Sequence, residues 1–367
     1  MGADQHVTLR RATSADVDAI LDLLTEYDLP RRHFEPLYLS DPGYRPSDSW
    51  LVEEDGQLAA HLRVFERTIL IDGVGMRVAG IGNVITGRAY RGRGHASRLL
   101  HWVLGTLRDE GYAYSLLGTD IPSLYARVGF VSITQSAVRA TLGPVDLRWD
   151  GEITRFEMGD LPEVADLYIA DNAHRTGPTV RNGDYWRRQL TWQAGDAEAF
   201  LVARTGSGKL AGYIRVDHGV APTRVLELIL GEHLEAGRAL LSHVAGRYGR
   251  EFQAHLPPSR IKLFDPDERT IDTESGLMGR VVSLETFVDT VRPLWEHRLF
   301  EAGVPGVLLR LDTSSGACEV QLGDGSLVLG PLSEEHLADL LFHGCDHTAE
   351  NILFPPQDFV LWSADDF

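Results

Sequence analysis

The sequence predicts an α/β (α+β) protein: two successive units of sheet flanked by helices, then a smaller α/β unit. Three observations predict this. Residues 79–130 read as strand, glycine-rich turn, helix, strand and short helix in unbroken succession. The strand and helix patterns of the first unit return, in the same order, from Ile153 onward. After residue 278 an amphipathic helix precedes three alternating strands and a last helix.

In chain order, Val7 to Thr13 alternate as a first strand, and Ser14-Ala-Asp16 caps a helix carrying Val17, Ile20, Leu21 and Leu24. Residues 28–48 are Pro-rich and mixed in charge, and read as a loop with short helical turns. Residues 49–87 give three or four strands, with hairpin turns at Asp55-Gly56 and Asp72-Gly73. The apolar run Ile81 to Thr86 leads into Arg88-Ala-Tyr-Arg-Gly-Arg-Gly-His-Ala96. Leu99, Leu100, Val103, Leu104 and Leu107 then fall at helical spacing. A strand, a glycine turn and a helix start make an anion cradle. Glycine lets the backbone approach a ligand closely, and the free amides and dipole of the helix favour negative charge. Arg91 and Arg93 add cationic forks. No Gly-Lys-Ser/Thr follows, so the turn is not a Walker loop, and a Gly-x-Gly-x-x-Gly fingerprint is absent.

Residues 113–120 form the next strand, 121–130 a short helix and turn, and 131–142 a closing strand, so the first unit spans 1–145. In the second unit, 150–275, Ile153–Tyr168 parallels Leu9–Leu24 and Ala199–Val216 parallels Ser49–Val64. Residues 225–249 stand where the cradle and its helix stood, but carry Glu232 and Glu235, which would repel a pyrophosphate. Gly206-Ser-Gly-Lys209 lies between two strands and reads as a hairpin turn, and 257–276 reads as a Pro- and charge-rich connector. In the third unit, 278–367, Phe287, Val291, Leu294, Trp295 and Leu299 share one helix face. Turns at Thr313–Gly316 and Asp324-Gly325 separate strands of a small antiparallel sheet, and Ser333-Glu-Glu335 caps the last helix.

The chain has 367 residues, 43% apolar and 24% charged, with a formal charge of −18. That charge argues against nucleic acid and against an anionic membrane surface as partners. No apolar run reaches 18 residues, no apolar leader opens the chain, and the two cysteines, Cys318 and Cys345, make no disulfide framework. A cytoplasmic protein is expected. His343-x-Cys345-x-His347 does not match a zinc spacing, and no metal is expected.

Two motifs carry a resemblance. Arg91-x-x-Gly94-x-Ala96 resembles the pyrophosphate-binding motif of the GNAT acyltransferases, and Tyr125-Ala-Arg-Val-Gly129-Phe130 resembles their Tyr-x-x-x-Gly-Phe motif. The order of units resembles the Eis family (enhanced intracellular survival acetyltransferases). The resemblance implies tandem GNAT folds, each a mixed sheet flanked by helices. The first is catalytic and the second degenerate, and a sterol-carrier-like unit follows that walls the active site. Acetyl-CoA is the implied co-substrate, a small amine such as an aminoglycoside the implied acceptor, and a hexamer the implied assembly.

Carried across, the resemblance puts the backbone of Val84, Ile85 and Thr86 beside the pantetheine. It puts Arg91, Gly92, Arg93, Gly94, His95 and Ala96 around the pyrophosphate. Tyr125 takes the role of general acid, and the terminal carboxylate of Phe367 that of base. Phe354, Phe359, Trp362 and Phe367 suggest a tail that docks. Glu26, Asp28 and His33 are the other base candidates, each also readable as a solvated loop charge. Gly92 stands where the family often has a further arginine, and 28–48 has no clear match, so the acetyl-CoA site is better supported than the aminoglycoside acceptor. A protein or peptide amine acetyltransferase is the alternative within enzymes. A non-catalytic lipid-binding scaffold is the alternative outside them.

Overall fold

One long twisted sheet runs through most of the molecule. The computed structural model describes residues 6–39, 41, 43–142, 149–193, 197–346 and 348–365. The first unit contributes β1 (Val7–Arg11), α1 (Val17–Leu24), α2 (Arg31–Leu39), β2 (Ser49–Glu54), β3 (Gln57–Ile71) and β4 (Val74–Thr86). It continues with α3 (His95–Asp109), β5 (Tyr114–Gly118), α4 (Pro122–Ala126) and β6 (Val131–Thr141). The second unit holds β7 (Glu152–Arg155), α5 (Leu161–Asn172), β8 (Thr176–Thr179), α6 (Gly183–Gln193), β9 (Glu198–Arg204) and β10 (Leu210–Asp217). β11 (Thr223–Leu230), α7 (Leu234–Tyr248), β12 (Glu251–His255) and α8 (Pro258–Ile261) complete it. The last part is β13 (Arg269–Val281), α9 (Leu284–Glu301), β14 (Gly306–Thr313), β15 (Gly316–Gly323), β16 (Leu327–Ser333) and α10 (Glu334–Phe342).

The sheet runs β1-β2-β3-β4-β5-β13-β6-β12-β11-β10-β9-β7, with β8 paired to β3. Its two parallel pairs, β4·β5 and β11·β12, are the ones bridged by α3 and α7. The second unit thus repeats the order of the first. The expected hairpin at 205–209 joins β9 and β10.

Three expectations are corrected. Residues 28–48 contain a nine-residue helix, α2, despite Pro36. Phe34 and Tyr38 bury against Leu21, Leu24 and Ile85, and that packing outweighs weak propensity. The expected connector 257–276 ends in a strand: β13 inserts between β5 and β6 and pairs with both. The small sheet, ordered β15-β14-β16, is mixed, because β14 and β16 run parallel.

The core divides by sheet face. Leu99, Leu100, Val103, Leu104 and Leu107 of α3 pack on Leu62, Val64, Ala79, Ile81 and Leu117. On the opposite face, α9 and α10 pack with Ile69, Met76, Val78, Tyr114 and Leu116. Residues 353–365 lie across both halves of the molecule. Phe359 and Leu361 join the core under α9, while Val360 and Trp362 join that of the second unit. Trp362 Nε1 donates to Asn172 Oδ1 at 3.2 Å, and Phe359 bridges Thr176. Among the described residues no helix is long and apolar enough to cross a membrane.

Candidate active site

β4 and β5 pair only from Val78↔Tyr114 to Gly80↔Leu116 among the described residues, and then diverge. A bulge in β4 shapes the opening. Arg63 lies opposite Gly82 and His61 opposite Ile85, so Asn83 and Val84 face the single residue Leu62. Asn83 adopts the left-handed region, φ 51°. Buried groups pin it there. His61 Nδ1 lies 3.0 Å from the Asn83 carbonyl, and Asn83 Nδ2 donates to the Tyr38 hydroxyl at 3.2 Å. Burial pushes the His61 pKa down to about 3, so the ring is neutral, and the carbonyl assigns the proton to Nδ1. Tyr27 donates its hydroxyl to Val84 O at 2.6 Å. Beyond Gly80 the edge of β4 that includes Val84, Ile85 and Thr86 has no β5 partner among the described residues. Ile85 itself is turned into the core under α1 and α2.

The glycine turn follows. Gly92 and Gly94 both sit at φ 79°, with open space where a Cβ would stand. Gly94 caps α3, and His95 and Ala96 open its first turn, whose amides have no carbonyl within the helix. Arg91 Nε donates to Thr86 O at 3.2 Å, which ties the turn to β4, and the residue is exposed. The side chains of Arg93 and His95 are both drawn to Glu54. Arg93 pairs with Glu54 and donates to Ala89 O at 2.9 Å, and buried His95 places Nε2 2.7 Å from Glu54 Oε2. Glu54 was not anticipated. An acid ending a strand reads as solvated, yet this one is buried and shapes the turn from inside. Glu26 and Asp28 are also committed elsewhere. Glu26 accepts from the Arg88 amide at 2.6 Å and Asp28 from the Arg88 guanidinium at 2.6 Å, so both hold the turn before the cradle. His33 is exposed and lies edge-on to Phe34.

Tyr125 is buried with Phe130 in the core beneath α3. Burial raises its phenol above the ordinary 10.0, while a hydrogen bond from the Thr119 side chain pulls the other way. The group is therefore protonated at neutral pH and able to donate. Gly118, Thr119 and Asp120, which continue from β5, line a cavity of about 270 Å³ together with Gln135, His255, Glu274 and Leu361. Strand alternation puts Gly118 on the face of Tyr114 and Leu116, opposite α3. Within the cavity His255 Nε2 lies 2.9 Å from Glu274 Oε2. Sequence reasoning missed this pair, whose members come from strands on different sides of β6 and share no motif.

The described tail ends in a buried charge network. Asp365 accepts from Arg181 at 2.7 Å, Tyr185 at 2.8 Å and Gln189 at 3.0 Å. Arg181 also binds Glu227 at 2.7 Å. Arg67 lies near Asp365 and donates to Asp41 at 3.0 Å, and Asp41 also pairs with Arg63. Three arginines (63, 67 and 181) thus balance three acids (Asp41, Glu227 and Asp365). Phe367, the expected base, lies outside the described residues, as does His347. His343 turns to Thr134 O at 2.9 Å and to Asp339 at 3.1 Å.

Residues 8–132 match the family described as an acetyltransferase (GNAT) domain. No curated protein matches the sequence. Among solved structures the chain is similar to a conserved Enterococcus faecalis V583 protein of unknown function, described as a probable N-acyltransferase. The TM-score is 0.70 at 18% identity, over 92% of this chain and 90% of that one. A GCN5-related N-acetyltransferase from Kribbella flavida gives 0.69 at 18% identity, over 99% of each chain. Eis1 from Mycobacterium abscessus gives 0.62 at 16% identity, over 99% of this chain and 100% of that one. At such identities the likeness is one of fold.

Proposed function

We propose that this chain, which carries a GNAT N-acetyltransferase domain across residues 8–132, moves the acetyl group of acetyl-CoA to a primary amine of a small cationic molecule. The observation that carries this reading is the divergence of β4 from β5 beside a glycine turn at the start of α3. Two glycines with open space above them, exposed Arg91 and the first amides of α3 suit a pyrophosphate. The backbone edge at Val84, Ile85 and Thr86 suits a pantetheine amide and a thioester carbonyl. An amide aimed at that carbonyl stabilises the negative charge that grows on it during attack. Tyr125, protonated and beneath the opening, gives its proton to the departing sulfur.

The cavity beside Thr119 lies on the opposite face from α3, so acceptor and donor approach from different sides. Its volume, about 270 Å³, supports a small acceptor over a folded protein surface. The docked tail and the end-to-end likeness to Eis1 support the Eis type. In that reading the second unit is a degenerate GNAT copy, the last unit a sterol-carrier-like wall, and the protein a homo-oligomer. For the base, the resemblance offers the Phe367 carboxylate, beside Glu26, Asp28 and His33.

Thiol release from acetyl-CoA, measured with a panel of primary amines, tests the reading. Tyr125→Phe should cut kcat by roughly 10² to 10⁴ and leave acetyl-CoA binding intact. Unchanged turnover would remove Tyr125 from the mechanism. Absence of thiol release from the wild type with every amine would remove the mechanism itself.

A further inference from the structure

We propose that His255, held by Glu274, is the group that takes the proton from the acceptor amine; this rests on the acyl-transfer reading above. Three observations converge on it. The first is position. His255 ends β12 and lines the cavity that Gly118, Thr119 and Asp120 enter from β5. Thr119 and Asp120 lie on the short segment between β5 and α4, the helix that carries Tyr125, so the cavity sits beside the segment that leads to the proposed acid. The second is geometry. Nε2 of His255 faces Glu274 Oε2 at 2.9 Å, and among the described residues Nδ1 has no hydrogen-bond partner. A carboxylate on one ring nitrogen fixes the tautomer, raises basicity and leaves the other nitrogen for a ligand.

The third is the backbone that presents the pair. β13 changes register between Glu274 and Leu277, so residues 275 and 276 bulge out of the ladder. The bulge ends on Gly276, whose carbonyl accepts from the Thr119 amide at 2.8 Å. The strand that carries Glu274 is thereby fastened to Thr119, which lines the same cavity. Bulges re-aim side chains, and this one directs Glu274 across Gln135 of β6 to the end of β12. Both side chains are partly exposed, 25% for His255 and 39% for Glu274, so the pair is open to a ligand.

The step balances as follows. The ammonium form of the acceptor gives one proton to Nδ1, which makes the imidazolium, and Glu274 stabilises that charge. The freed lone pair forms a C–N bond to the thioester carbonyl carbon, and the C–S bond breaks with its electron pair on sulfur. Tyr125 protonates the sulfur. The second amine proton, lost as the amide forms, restores the phenol, and the imidazolium returns its proton to water. An amine of pKa about 10 is almost wholly protonated at neutral pH, which is why a base is required.

The other charges on this face are Asp120 in the cavity, Asp272 paired with Arg139 at 3.5 Å, and Arg224 of β11 paired with Asp217 at 3.3 Å. None of these lies on His255, so the charged partner that its ring meets is Glu274.

The test uses the full chain, acetyl-CoA and the best amine from the panel. His255→Asn should lower kcat/KM for the amine by about 10²-fold or more, with little change in the acetyl-CoA KM. Its pH profile should lose the acidic limb and climb toward the amine's own pKa. Glu274→Gln should cause a smaller loss and move that limb to lower pH, and Glu274→Asp should recover part of both. A merely structural pair would leave the profile in place. Wild-type kcat/KM and profile in His255→Asn overturn the proposal. So does a short C-terminal extension beyond Phe367 that abolishes turnover while His255→Asn does not, because the terminal carboxylate is then the base. A wild type with no activity on any amine refutes the acyl-transfer reading and this one with it.

Discussion

His61 makes the bulge beside the proposed pantetheine edge sensitive to acid, by an amount that can be worked out. An unfolded chain carries this histidine at its ordinary pKa of 6.5, whereas burial holds it at about 3 in the folded protein. Below pH 6.5 the unfolded chain binds a proton that the folded chain refuses. Stability therefore falls as pH falls, from 6.5 down to about 3, and is constant below. Well inside that window the slope is about 1.4 kcal/mol per pH unit, so by pH 5 the loss from this one residue is about 2 kcal/mol. That is a large part of a domain's net stability of roughly 5–15 kcal/mol. The perturbation is His61→Asn, whose amide can still donate to the Asn83 carbonyl. Denaturant unfolding of both proteins at pH 7.5 and pH 5.0 isolates the term. Glu227, Glu334 and Asp48 have pKa values raised by burial and act in the opposite sense, but they are common to both proteins and cancel in the difference. The wild type should lose about 2 kcal/mol more than the variant. Equal losses would refute the neutral, buried imidazole.

Two further outcomes follow from the packing. Gly129 holds φ 84°, and a Cβ there would stand 2.6 Å from Ser314 Cβ. Gly129→Ala should therefore cost about 1–2 kcal/mol in backbone strain and about 1–3 more in overlap. In thermal unfolding, Ser314→Gly in the same chain should return only the second part, and full recovery would show that the backbone is unstrained. Asp365→Asn removes one acid from a balanced set of three arginines and three acids, and should cost about 3 kcal/mol or more. Limited proteolysis should then cut between 353 and 365 before the rest of the chain unfolds, and an unchanged cleavage pattern would show that Asp365 does not lock the tail.

What the sequence made legible was local. Asp55-Gly56 and Asp72-Gly73 each supply two residues at positive φ, the requirement of a tight hairpin, and both hairpins form where expected. The apolar stripe of α3 and the glycines before it were readable for the same reason: one short stretch contains both the pattern and its cause. β13 was not readable. Its first half, Arg-Thr-Ile-Asp-Thr-Glu, is polar and mostly exposed, and it is a strand because it pairs along β6, while the second half, from Leu277, lies between β6 and β5. The site divides in the same way. In the proposed site, the glycine turn at 91–96 was readable as a candidate anion cradle, and 84–86 entered through the resemblance alone. Its side-chain partnerships were not readable, since Glu54 reaches His95 and His255 reaches Glu274 only after the sheet has assembled.

The insertion of β13 bears on how the protein is made. Gly118 and Val131 end and begin neighbouring strands of the first unit, yet their ladder partners are Leu277 and Gly279, which a ribosome supplies much later. Until then β5 and β6 hold open edges facing a vacant lane, a template for pairing with another chain. The stretch that matches the acetyltransferase family is thus not a self-sufficient folding unit. Expressed alone it would lack the central strand of its own sheet. Closure over so long a loop also makes folding slow, and leaves the nascent chain dependent on protection while it waits.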